Sequence, residues 1–133
     1  MEIRYIDSQA FVVTTQGKRE TVQTPKEFKQ TERKEIEECR ARIADLDQAA
    51  SIIKHRLEVE LIDGVDTGAT RAELSAIGEE IHGFQRDIDE AAKRINEVDR
   101  LIDQHAADAI QQADAALLNA MTAHFDRIYK ELA

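Results

Sequence analysis

Apolar residues recur along most of this chain in alternating steps of three and four. One series runs Ile36, Cys39, Ile43, Leu46, Ala50, Ile53 and Leu57, and a second runs Leu74, Ile77, Ile81, Phe84, Ile88, Ala91, Ile95, Val98 and Ile102. Each is a heptad seam, the pattern of a helix that packs along a narrow stripe. Thr24-Pro25-Lys26-Glu27 predicts the start of the first helix: threonine caps free N–H groups, proline fits the first turn, and the glutamate closes a capping box. Asp63-Gly64 predicts its end, because glycine readily takes the left-handed conformation that terminates helices. Thr70-Arg71-Ala72-Glu73 repeats the start signature and predicts that the second helix opens at residue 70. Helices over 25–63 and 70–104, joined by a tip at 63–70, should lie antiparallel as a coiled-coil hairpin.

Residues 1–24 follow a different pattern. Phe11 to Thr15 and Arg19 to Gln23 are β-branched runs separated by Gln16-Gly17-Lys18, which predicts a β-hairpin. Ile3 to Ile6 can add a third short strand, and so small a sheet has to lean on apolar helix surface. Beyond residue 104 a further stripe, Ile110, Ala113, Leu117, Met121, Phe125, Ile128 and Leu132, is displaced by one residue from the preceding heptad frame. The segment 105–133 either continues the second helix or breaks between Gln104 and Asp108 and turns back. The absence of Gly and Pro from 104–133 favours continuation. The predicted fold is therefore mainly α: an antiparallel helical hairpin with a small N-terminal β-hairpin and a long C-terminal helical extension, all in one domain.

Finer packing follows from matching the two seams. Setting Leu57 by Ile77, Ala50 by Phe84 and Ile43 by Ala91 puts small residues opposite large ones, as close packing requires. It also brings Arg56 near Glu80 and Arg33 near Asp99. Five of the six aromatic residues, Tyr5, Phe11, Phe28, Phe125 and Tyr129, then gather at the base of the hairpin as a second small core. The Ala-rich stretch from Ala106 to Ala123 would let another helix approach closely, so Ile110, Leu117, Met121, Phe125 and Ile128 read as an oligomerisation face and the chain as a homo-oligomer.

Composition narrows the function. The 133 residues carry a net charge of −9, which repels a phosphate backbone and argues against direct nucleic-acid binding. No stretch approaches the roughly 18 apolar residues of a membrane helix, and Met-Glu-Ile-Arg-Tyr lacks the flanks of a secretory signal, so no membrane association and a cytoplasmic location are expected. The lone Cys39 has no disulfide partner in the chain and occupies a seam position, where burial makes a thiol inert. Glu79 and His82 form one Glu-x-x-His motif, whereas a di-iron bundle uses two such motifs with two further glutamates. With no phosphate loop and no nucleophile beside a base, the expectation is a protein that is not an enzyme, with no metal and no cofactor.

Charge is concentrated at the hairpin tip. Residues 58–80 hold Glu58, Glu60, Asp63, Asp66, Glu73, Glu79 and Glu80 against Arg71 alone. Interleaved with them are apolar residues off the seam, Ile52, Val59, Ile62 and Val65, of which Ile62 and Val65 either close the end of the hairpin's own core or remain free for a partner. Val59, Glu60, Ile62, Asp63, Val65, Asp66 and Glu73 are accordingly the candidate partner-binding residues, facing another protein with a basic surface. An alternative is an acidic inhibitor or decoy that blocks a nucleic-acid-binding surface of another protein. The segment Asp63-Gly64-Val65-Asp66-Thr67-Gly68-Ala69-Thr70 resembles the acidic coiled-coil tips of bacterial factors that enter the RNA polymerase secondary channel. The resemblance is confined to this tip, which has one residue too many between its second aspartate and the alanine, and the chain lacks those families' zinc-binding or globular second half.

Overall fold

Three strands and two helices follow one another along the chain: β1 (Glu2–Ile6), β2 (Gln9–Gln16), β3 (Arg19–Gln23), α1 (Pro25–Asp63) and α2 (Gly68–Leu132). The computed structural model describes residues 1–132, so Ala133, the last residue of the predicted extension, lies outside the described residues. The strands form an antiparallel meander in the order β1-β2-β3, with Ile3 paired to Val12 and Val13 to Val22. Gly17 turns β2 into β3 at a φ of 62°, as its position predicts. The β1–β2 reversal instead uses Asp7 and Ser8, both left-handed, the conformation of a two-residue hairpin turn.

The sheet packs where the two helices meet its central strand. Val12, Phe28 and Val98 form a buried cluster, with Ile3 and Ile102 packed against it. Tyr5 stacks on His105 with ring centroids 3.7 Å apart. This junction is the second small core, but its aromatic membership is narrower than the sequence suggests. Phe125 and Tyr129 stand exposed on the distal part of α2, because that helix does not turn back.

Helix α1 begins and ends where its signals lie. The Thr24 hydroxyl accepts a bond from the Glu27 N–H at 3.2 Å. At the other end Gly64 adopts a φ of 69°, and the Val65 and Gly64 N–H groups donate to the Glu60 and Leu61 carbonyls, the paired bonds of a Schellman motif. Helix α2 begins earlier than its apparent capping box. The Asp66 carboxylate accepts from the Gly68 N–H at 3.1 Å, and the Thr67 carbonyl accepts from the Arg71 N–H. Thr70 is thus already inside the first turn, and it is buried.

That early start shortens the loop and changes the register. Arg56 bonds Glu73 at 2.6 Å, not Glu80. Asp99 receives Lys29, not Arg33, and Arg94 bonds Glu32 at 2.9 Å with Glu35 at 3.6 Å. The Arg42 guanidinium lies 5.7 Å from the Phe84 ring, which places Phe84 level with the region of Ile43 and away from Ala50. The pairings Leu57–Ile77, Ala50–Phe84 and Ile43–Ala91 are therefore displaced by about one heptad. The seams themselves remain inside: Cys39, Ala50, Ala91 and Val98 are buried, since a slide of seven residues keeps both stripes facing each other.

Past the junction α2 continues without a break to Leu132, so continuation, not a turned-back third helix, is the path of the C-terminal segment. Residues 106–132 are exposed throughout. At 1.5 Å per residue they project about 40 Å beyond the sheet.

Phe28→Ala empties the centre of the junction and is expected to destabilise the fold by about 3–5 kcal/mol. Urea unfolding followed by far-ultraviolet circular dichroism measures it.

Candidate functional site

The hairpin tip is held by a polar clasp between its two helices. The Thr70 hydroxyl reaches both oxygens of the Glu60 carboxylate at 2.7 Å. Arg56, one turn before Glu60 on α1, lies 3.8 Å from that carboxylate and 2.6 Å from Glu73 on α2. Glu60 and Glu73 are thus engaged in closing the tip, and Asp66 caps α2. Of the predicted partner-binding acids, Asp63 stays outside these side-chain bonds at the exposed end of α1.

The apolar members behave differently. Ile62 is 84% exposed and Val65 58% exposed, and Val59 and Leu61 are also exposed. Ile62 lies on the face of α1 turned away from the seam, and Gly64 sends Val65 off the helix axis, so neither closes the seam's end. Together with Asp63 and Glu58 they make a surface that is acidic and apolar at once. Neighbouring Leu61, absent from the sequence-derived set, belongs to it; its only sequence signal was being off the seam.

The second candidate surface is the extension. Ile110, Leu117, Met121, Phe125 and Ile128 share one face of α2 with exposures between 37% and 63%. Leu118, Tyr129 and Leu132 widen that face. Leu118 and Tyr129 escape a simple step-of-three-and-four reading because they sit beside the stripe.

The chemically reactive groups are scattered. Cys39 is buried and free, and burial, reinforced by nearby Asp87 and Glu35, pushes its thiol pKa up. Glu79 and His82 lie on the exposed face of α2. Among the described residues no group of three or more His, Cys, Asp or Glu side chains is placed to hold a metal ion. No helix among them is long and apolar enough to cross a membrane. Concavities are shallow grooves along the helices, such as one of about 410 Å³ lined by Glu80, Gly83, Phe84, Arg86, Asp87 and Glu90. Arg94 is held firmly in its charged form by its hydrogen bond to Glu32, which makes that buried carboxylate part of the hairpin's frame.

Thr70→Val removes the hydroxyl that meets Glu60 and is expected to cost about 1–3 kcal/mol, the range for leaving a partly buried charged acceptor without its donor. Chemical denaturation measures the loss, and a change below a few tenths would show that the clasp does not hold the tip. Neither a family model, nor a curated protein, nor a solved structure matches the chain.

Proposed function

We propose that this chain is a non-enzymatic protein–protein interaction protein, a homo-oligomer that holds an acidic helical-hairpin tip out to a partner protein with a basic surface. The observation that carries the reading is the exposure of large apolar side chains at both ends of the molecule, Ile62 and Val65 at the tip and Ile110 to Leu132 on the extension. Apolar patches of this kind mark interaction surfaces in proteins whose other faces are charged. The two ends have different character. The tip adds acidic side chains, which would steer a basic partner, whereas residues 105–133 hold four acidic and two basic residues around a mainly apolar face.

An acidic decoy that blocks another protein's nucleic-acid-binding surface would use the same charge. It would not need Ile62 and Val65, and their exposure supports apolar docking over phosphate mimicry. Salt separates the two, since screening weakens contacts between exposed charges.

Ile62→Glu and Val65→Glu are expected to leave the thermal unfolding midpoint within a few degrees and to abolish capture of the partner from an extract by immobilised chain. Capture that survives both substitutions would move the site away from the tip. Capture by the unaltered chain that collapses at high salt would favour the decoy.

A further inference from the structure

We infer that the exposed face of α2 over 106–132 is covered by the same segment of a second copy, running antiparallel about a two-fold axis at Met121. This rests on the homo-oligomer reading above and specifies its geometry.

The spacing of the stripe is the first argument. In the stripe Ile110, Ala113, Leu117, Met121, Phe125, Ile128 and Leu132, Leu117 and Phe125 stand equally far from Met121, as do the end residues Ile110 and Leu132, and Asp114 enters the face beside Ala113. Ile110, Met121 and Leu132 lie eleven residues apart, and an 11-residue repeat has 3.67 residues per turn. Such a stripe stays on one face of a nearly straight helix, which accounts for its departure from the heptad frame of the hairpin. An antiparallel pair about Met121 sets Ile110 against Leu132 of the second copy, Leu117 against Phe125, and Met121 against itself.

Charge gives the direction. Asp114 is the charged residue on this face. In a parallel pair in the same register it would meet its own copy in an apolar contact, and like charges directly opposed are unfavourable. In the antiparallel pair it faces Ile128 and Tyr129 of the second copy, whose phenolic hydroxyl can donate to the carboxylate. The two Asp114 residues then stand about 20 Å apart along the axis. The remainder of each molecule, residues 1–104, holds 16 basic and 23 acidic residues. Antiparallel pairing sends these two acidic bodies to opposite ends, whereas parallel pairing sets them side by side.

The fold selects the register. Sliding the copies one repeat further together would put Leu132 of one copy beside Asp99, where α2 is already covered by Lys29 of α1. Sliding them one repeat apart would leave half of each stripe bare. With Met121 at the centre, the pair covers the free part of α2 and stops at the sheet. The eight large apolar side chains on and beside this face are 37–80% exposed, a continuous apolar surface of the kind a standard stable interface buries at about 800 Å² per partner.

The test uses the full chain carrying Leu117→Cys or Phe125→Cys, both at exposed positions, with one variant tagged so that its mass differs. Cys39 is buried and stays in place. The unaltered chain should show a mass by light scattering of twice 15.0 kDa. An oxidised equimolar mixture of the variants should give the mixed 117–125 disulfide about tenfold over either like pair. A dimer giving chiefly 117–117 and 125–125 disulfides would overturn the antiparallel geometry and leave the oligomer standing. A higher oligomer without the mixed disulfide would do the same. A single-copy mass at high protein concentration would overturn both, leaving the face for a different protein.

Discussion

The difference in length between the two helices organises this molecule. Helix α1 has 39 residues and α2 has 65, and beyond Gly83 the longer one contains neither glycine nor proline, the usual causes of a sharp bend. It therefore runs on past the point where α1 begins at Pro25. One continuous helix meets three environments in turn: the α1 seam, the sheet junction at Val98 to His105, and solvent. The small sheet is placed where it is because that junction is the end of the paired seam, and it covers apolar side chains the hairpin leaves open.

The two ends of the rod solve different problems. At the tip, a tight reversal leaves helix ends whose free backbone groups need partners. The Gly64 and Val65 N–H groups and the Asp66 carboxylate supply them within a four-residue loop, the side-chain bond from Thr70 to Glu60 ties the two helices together, and the exposed acidic side chain of Asp63 is left over from this closure. At the other end the backbone is satisfied by the helix itself, and the unmet requirement is apolar burial. Alanine-rich sequence favours helix, yet a single exposed helix is marginal in water without packing. A second copy would supply that packing through the same face.

Much of this was legible in the residues and some was not, for identifiable reasons. Thr24, Pro25 and Gly64 mark α1 to the residue because each acts through its own local backbone. The seam residues are all buried or half-buried because periodicity survives into packing. Register was not legible, since a heptad pattern looks alike after a slide of seven, and the loop decides between the choices. The loop differs from its sequence signal because Thr70-x-x-Glu73 has the form of a capping box while Asp66 accepts from the first N–H of α2, leaving Thr70 to bind Glu60 across the hairpin. For the same reason Glu60 and Glu73, plausible as free acids, turn out to be fastened. The predicted architecture brings the segment carrying Phe125 and Tyr129 to the base, and a straight helix takes both away from it.

The proposed second copy would pack on residues 106–132 of α2 and so stabilise that projecting segment. Amide hydrogen exchange over residues 106–128, compared at high and low protein concentration with residues 88–100 as the internal reference, tests it directly. The account predicts slow exchange at high concentration that accelerates on dilution in the projecting segment alone. Exchange in that segment that is fast at every concentration, or slow but indifferent to dilution while the chain remains a single copy, would contradict it.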